Sequence, residues 1–581
     1  MDEAHNLESE GRGLRIESLL ATIKRDCRLA NFLLLMPYVE QSETVARWLA
    51  DDVKAGNAIS FSTTAWRPNE RIIGLYSAVA DDSQRAGWRL EYETLTVTER
   101  AMKLRGKHRV GDCKPIDVPR NKVLKGDEQS GLALQTAAMA TIMSARGTSV
   151  AVANKINLVW SMARQAMSSI RKFDVVPDEV RLVQDFLKTE VSRNFELIEM
   201  LDHGIGVHHA GLSDEIRTLM EWLAESGHLR VLCATTTLAQ GINFPVSSMF
   251  LQSHKLPYGV DMSPREFWNL AGRAGRIGQD SVGVIGLAQG NDKEAKIGFL
   301  SQATGALASR LVVLLDELDA QGKLHNLESV LWQNQWQDFR CYIAHLCAEK
   351  QNLDAVLAES EQLLRHTYGY TTLRNDPKQQ KKADVLLNAT KNYVRTLAKT
   401  PGVARLADLT GFSPEGVQKA MQGLLKLEGQ LGPDDWTPES LFGNAGRMAE
   451  LFGIMVSIPQ LKEQLDDIVG EGTKHSRLSD ITSDWVNGVG LEDIAKKYFS
   501  QDGKRTDTEA FTEACKAIYR AILNNGTWGV SALSHFSGMD FDNMSEAERR
   551  RIHNLPAMIY YGVRTEDAVL MRMNSAPRSV A

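Results

Sequence analysis

Short apolar runs of strand length alternate with helix-period stretches up to about residue 300, and beyond that point the strand-like runs nearly vanish. This switch limits the fold more than any other feature. Strands interleaved with helices build a mostly parallel sheet, whereas helical periodicity alone builds helical packs. Asn31-Phe32-Leu33-Leu34-Leu35-Met36, ended by Pro37, is a run expected of a buried parallel strand, with a helix over 43–49 after it. Segments 148–152, 204–208, 231–234 and 282–286 are further strand candidates. Between them Ser213 can cap a helix with Asp214 and Glu215 in its first turn, Ile216, Leu219, Trp222 and Leu223 on its core face, and Gly227 at its end. The polar stretch 81–130 reads as an exposed hairpin or linker.

The expected class is therefore α/β. A partial sheet domain is assigned to 1–110, a complete parallel-sheet domain to 131–300, and mostly helical domains to 301–440 and 441–581. Within 402–425 the spacing gives a helix, a tight turn at Gly411 and a second helix bearing Val417, Met421, Leu424 and Leu425. The apolar stretch 555–563 reads as a buried terminal element, with a docking surface as the alternative. With 581 residues and 43% apolar content the chain has material for several cores. A net charge of -6 gives no global basic signal, so contact with nucleic acid requires a local groove. The six cysteines are scattered without a C-x-x-C, which fits a reducing cytoplasm, and no run approaches the roughly 18 apolar residues of a membrane span.

Four segments carry chemistry. Asp2-Glu3-Ala4-His5 suits phosphoryl transfer: one carboxylate holds Mg²⁺ through its waters, and the next orients and deprotonates the attacking water. Gly272-Arg273-Ala274-Gly275-Arg276 sets two arginines three apart among residues with little or no side chain, so a turn can pack closely while both guanidinium groups reach a phosphate. Segment 234–245, with Thr235, Thr236, Thr237, Gly241 and Asn243, directly follows a buried strand, where hydroxyls and backbone N–H groups can bind phosphates. Gly206-Val207-His208-His209-Ala210-Gly211-Leu212 lies between a strand and a capped helix, whose N-terminus can receive a phosphate.

Taken in chain order, the segments resemble the Ski-like (superkiller-type) branch of superfamily 2 DEAD/DEAH-box helicases. Residues 2–5 look like motif II, 206–212 the segment before motif V, 235–245 motif V, and 269–276 motif VI. Trp66-Arg67-Pro68 with Arg71 and Gly74 resembles the sequence after motif III, and 485–494 a helical segment of the branch's ratchet domain. The resemblance implies RecA-like, winged-helix and ratchet-like domains, with ATP and Mg²⁺ as cofactors. It implies 3′-to-5′ translocation on single-stranded or partly duplex DNA or RNA. It makes Glu3, Arg273 and Arg276 catalytic, with Asp2 the magnesium ligand. Asp2, His5, Gly241, Asn243, Asn269 and Gly272 would contact nucleotide, and His208, His209, Gly211 and Thr235–Thr237 nucleic acid.

Three departures limit the transfer. No G-x-x-x-x-G-K-[ST] phosphate loop occurs, Met36-Pro37-Tyr38 stands where S-A-T is usual, and Asn269 replaces a glutamine. The expectation is the C-terminal portion of a helicase, beginning in mid-domain and inactive alone. The alternatives are a non-catalytic nucleic-acid-binding module, or one half of a split enzyme whose P-loop comes from a second polypeptide.

Overall fold

The computed structural model describes the chain except for residues 10, 28, 37–41, 51–69, 85, 98–105, 111–117, 127, 237–245, 257–258, 276–281, 303–306, 325–330, 332–335, 351, 428–430, 444–446, 470–474, 501–506 and 537–542. Its chain divides into two compact units, each assembled from three stretches. One holds Met1–Ala65, Thr304–Asn487 and Ala521–Met571; the other holds Trp66–Ala303, Gly488–Arg520 and Arg572–Ala581. No helix among the described residues is long and apolar enough to cross a membrane.

The second unit is built on an eight-stranded sheet. Its strands are β1 (Arg71–Ala80), β2 (Trp88–Val97), β3 (Gly106–Val110), β4 (Ser149–Ala153), β5 (Ile205–His208), β6 (Val231–Thr235), β7 (Ser248–Leu251) and β8 (Gly283–Ala288). They lie in the order β3-β2-β1-β8-β7-β4-β6-β5. The β1–β2 and β2–β3 pairs are antiparallel and all the others parallel. Strands β4 to β8 are buried along their whole length, which is why they read as near-continuous apolar runs. Helix Gln129–Met143 packs on β4 and β7, and Ile156–Ser169 on β5 and β6. Edge strand β3, Gly-Lys-His-Arg-Val, is polar, as an unpaired edge should be.

Here the sequence reading needs correction. The sequence reading puts residues 71–110 in the first sheet domain, with the boundary within the polar stretch 81–130, yet β1 pairs in parallel with β8 from Arg71/Gly283 to Tyr76/Ala288. The physical reason is burial: Ile72 to Tyr76 form an unbroken buried run that needs neighbours on both sides. Two phenols lock the join, Tyr76 Oη bonding Thr136 Oγ1 (2.7 Å) and the Leu251 carbonyl (3.0 Å), and Tyr92 Oη donating to the Ile285 carbonyl (2.6 Å). In helix Asp214–Glu225, capped by Ser213 as expected, the buried face is Ile216, Met220, Leu223 and Ala224, while Trp222 stands 37% exposed. The spacing 216, 220, 223 follows one helical face, and 222 falls off it.

In the first unit, helices Gly13–Asp26 and Ser42–Leu49 close over a core of Leu7, Leu20, Val45, Trp48, Leu49, Leu307 and Tyr368. The expected strand at 31–36 is extended chain hydrogen-bonded to the first residues. The Met1 ammonium donates to the Leu33 carbonyl (2.6 Å), Leu35 N–H to Met1 (2.9 Å) and Ala4 N–H to Leu35 (3.0 Å). Only one face of it is packed: Phe32, Leu34 and Met36 meet the core, while Leu33 and Leu35 are 70% and 51% exposed. The helix-turn-helix is present as Pro401–Thr410 and Pro414–Leu425, with Gly411 at φ 73 and Ser413 Oγ capping Gly416 N–H at 3.2 Å. Helix Glu546–Tyr561 buries Leu555, Met558 and Ile559.

The domain assigned to 441–581 is divided, since Gly488–Arg520 belongs to the sheet unit. Glu492 accepts from Ser192 Oγ (2.6 Å), Glu196 from Thr508 Oγ1 (2.8 Å), and Phe511 packs 4.8 Å from Phe195.

Candidate nucleotide and nucleic-acid site

The motif-like residues fall on both units. In the first, Asp2 is exposed and Glu3 half-buried. Asp2 Oδ1 accepts the Glu3 N–H at 2.8 Å, and Glu3 Oε2 accepts from Asn6 Nδ2 at 3.4 Å. Glu3 sits in the left-handed region (φ 53), one of two non-glycine residues among the described ones to do so. That conformation costs on the order of 1–3 kcal/mol. An exposed carboxylate such as that of Asp2 could serve Mg²⁺, which keeps several waters and takes one or two carboxylates alongside phosphate oxygens. His5 is buried in the following turn.

In the sheet unit, helix Pro264–Ala271 begins with a capping box between Ser263 and Glu266 and carries Asn269 in its last turn. The turn that follows holds Gly272, Arg273 and Gly275. Gly275 has φ +74, and a Cβ there would lie 2.7 Å from the Gly283 amide nitrogen, so only glycine fits. Gly275 N–H donates to the Val246 carbonyl (3.0 Å), and Val246 and Ala274 form a parallel bridge. The motif V-like segment therefore ends against the motif VI-like turn. Arg71, at the start of β1, donates from Nη2 to the Gly272 carbonyl at 3.1 Å, and Gly283 N–H donates to Glu70 (2.8 Å). Sequence reasoning assigned no role here to Arg71 or Val246, because their partners lie 201 and 28 positions away.

Thr235 and Thr236 are buried at the C-terminal end of β6. Asn154 and Gln252, just past β4 and β7, are also buried, and each has a side-chain carbonyl oxygen without a hydrogen-bond partner among the described residues. Buried acceptors at the carboxyl ends of neighbouring parallel strands mark where a ligand can bind an open α/β sheet. Neither was singled out from sequence; the available signal was that Asn154-Lys155 follows a buried strand directly.

The histidine pair does not reach the surface. His208 is 1% exposed and its Nε2 meets Glu221 Oε1 at 2.9 Å. His209 is 0% exposed, packs edge-on to Trp160 at 5.8 Å, and accepts the Gly211 N–H on Nδ1 at 3.1 Å. Burial, with smaller contributions from His208 and Arg217, pushes its pKa down to about 3, so the ring is neutral and shapes the turn. Gly211 is buried as well, and a Cβ there would lie 3.1 Å from His209 Nδ1. The expected phosphate contact through these side chains is replaced by a structural role. Thr237, Gly241, Asn243 and Arg276 lie outside the described residues, as do Pro37, Tyr38 and Trp66 to Pro68.

No family model matches the chain. It is 26% identical over 296 residues to the Hachiman protein HamB of Bacillus cereus, covering 49% of this chain and 25% of that one. It is 29% identical over 227 residues to the ATP-dependent DNA helicase Hel308 of Caldivirga maquilingensis (37% of this chain, 29% of that one). With the antiviral helicase SKI2 of Saccharomyces cerevisiae it shares 35% over 115 residues (19% and 9%). The chain is a homologue of Ski-like superfamily 2 helicases. It spans between about a tenth and three tenths of the length of these relatives. Of the residues departing from the Ski-like pattern, Met36 packs against the first unit's core and Asn269 stands on the helix leading into the Arg273 turn.

Proposed function

We propose that this chain carries the motif II strand end, the second motor domain and the helical accessory domains of an ATP-dependent 3′-to-5′ helicase acting on single-stranded or partly duplex DNA or RNA. The observation that supports this most is the isolated Val246–Ala274 bridge, which ties the residue just after the phosphate-contact segment to the arginine turn. In this reading Asp2 would hold Mg²⁺ through water, and the ion would neutralise charge on the β- and γ-phosphates. Glu3 orients and deprotonates water. Arg273 and Arg276 balance the charge on the γ-phosphate in the transition state.

The sequence contains no G-x-x-x-x-G-K-[ST], so these residues supply neither lysine nor amide cradle for the β- and γ-phosphates. A polypeptide of this sequence by itself is expected to show no strand-stimulated ATPase, and a P-loop segment, on the same or another polypeptide, would complete it. Mixed with such a segment from a Ski-like helicase, it should turn over, and Arg273→Ala should cut the rate by on the order of 10³-fold while leaving strand binding nearly unchanged. Strand-stimulated turnover by the pure polypeptide, abolished by Glu3→Gln, would refute its dependence on a P-loop segment. The missing cradle also favours a second reading, a non-catalytic nucleic-acid-binding module. For that reading Arg273→Ala should weaken strand binding and lower its salt dependence.

A further inference from the structure

A cleft of about 690 Å³ opens in the first unit among helices Gln337–Glu349, Leu353–His366, Gln380–Leu397 and Pro401–Thr410. Every charged side chain lining it is a cation: Lys350, Arg395, Lys399 and Arg405. Lys350 is engaged by Glu359 at 2.8 Å. The other three are exposed and have no ion-pair partner among the described residues; Arg395 only donates to the Asn392 side chain at 3.0 Å. In a chain of net charge -6, three cations gathered without a carboxylate invite an anionic ligand.

Two further features narrow the choice. Pro401, first residue of a ten-residue helix, lines the same cleft, and Thr400 turns its hydroxyl back to the Leu397 carbonyl (3.1 Å) instead of capping that helix. The helix N-terminus thus opens on the cleft with its partial positive charge and no side-chain cap. The floor is aliphatic, formed by Leu353, Val356 and Ala398, and the lining contains no aromatic ring on which a base could stack. Forked guanidinium groups and a helix N-terminus both match phosphate oxygens, and aliphatic groups suit sugar carbons.

We propose that this cleft holds the sugar-phosphate backbone of a nucleic-acid strand, with phosphates at Arg395, Lys399, Arg405 and the start of helix Pro401–Thr410, and sugars against the aliphatic floor. The proposal rests on the helicase reading and adds to it a contact that none of the helicase-like motifs provides. Because no base is read, binding is independent of sequence.

The test is anisotropy of a labelled single-stranded oligonucleotide with the full chain, titrated at several salt concentrations. Replacing Arg395, Lys399 and Arg405 together with glutamine should raise Kd at least about tenfold at low salt and reduce the slope of log K against log salt by about two, since each contact on a single strand contributes roughly 0.7. All three side chains are exposed, so the thermal midpoint should hold, and a matched midpoint certifies the variant. Lys350→Gln, at a cation already paired, should change the slope by less than any of the three. If the wild-type chain binds strand and the triple variant keeps its slope, the cleft assignment is overturned while the helicase reading stands. Loss of poly-glutamate binding with strand binding intact would make the cleft an acidic-peptide site and also overturn it. A wild-type chain that binds no strand overturns both.

Discussion

Two buried ionisable side chains set opposite pH dependences. Glu17 is 1% exposed, accepting from Ser309 Oγ and from the Gly369 N–H, both at 2.6 Å. Burial outweighs those bonds and pushes its pKa up to about 7. A carboxyl whose folded value exceeds its unfolded value binds its proton more tightly in the native state. Its contribution is therefore complete below roughly pH 4.3 and is lost as pH rises to about 7, on the order of 3 kcal/mol in all. Glu17→Gln should flatten the denaturation midpoint of the first unit between about pH 5 and 8, and raise it at the upper end. A variant as pH-dependent as the parent would refute this. His209 runs the other way: its folded pKa lies near 3, so stability present above about 6.5 declines as pH falls. Its ring resonances in selectively labelled protein should stay fixed from about pH 8 down to 5, and movement near 6.5 would show the ring to be accessible.

At the level of elements, two glycine turns differ in what a methyl group would meet. At Gly411, φ is +73 and the nearest atom to a Cβ is 3.6 Å away on Trp528, so Gly411→Ala incurs mainly the left-handed backbone penalty, about 1 kcal/mol. At Gly275 the same backbone penalty is joined by a 2.7 Å clash with the Gly283 backbone, which has no flexible side chain to yield. Gly275→Ala should cost roughly 2–4 kcal/mol of sheet-unit stability and disturb the Arg273 turn. Chemical denaturation followed separately in each unit checks the ordering, and equal costs would contradict it. The first turn was legible in sequence because Gly411 and the Ser413 cap act within a few residues. That Gly275 is needed was also legible from composition, but not its partners, Gly283 and Val246.

For the whole molecule, the sequence reading places residues 71–110 with the first sheet domain, and the structure moves them into the second unit. Residues 71–80 form an interior strand between β2 and β8 and should exchange their amide hydrogens as slowly as β4 to β8. Residues 31–36, bonded along one side and packed on one face, should exchange faster. Hydrogen exchange resolved to short peptides decides this, and fast exchange in 71–80 would place that strand outside the sheet. Each unit draws on three separate stretches of chain. A boundary inferred from composition along a linear sequence has no access to that, because composition shifts mark linkers and not which distant stretch returns to complete a core.

Sequence alone determined the α/β class, the buried parallel strands β4, β5, β6 and β8, the capped helix after Ser213, the glycine turn between 401 and 425, and the segments resembling Ski-like motifs. Each of these depends on periodicity, capping or backbone freedom within about a dozen residues. Tertiary structure alone decided that β1 pairs with β8, that Val246 meets Ala274, that Arg71 holds the Gly272 carbonyl, and that the histidine pair is buried. It also gathered Arg395, Lys399 and Arg405 around one cleft with Lys350. These depend on register and burial between positions far apart in the chain, and a strand's alternation specifies which of its faces is apolar without naming the partner that covers it.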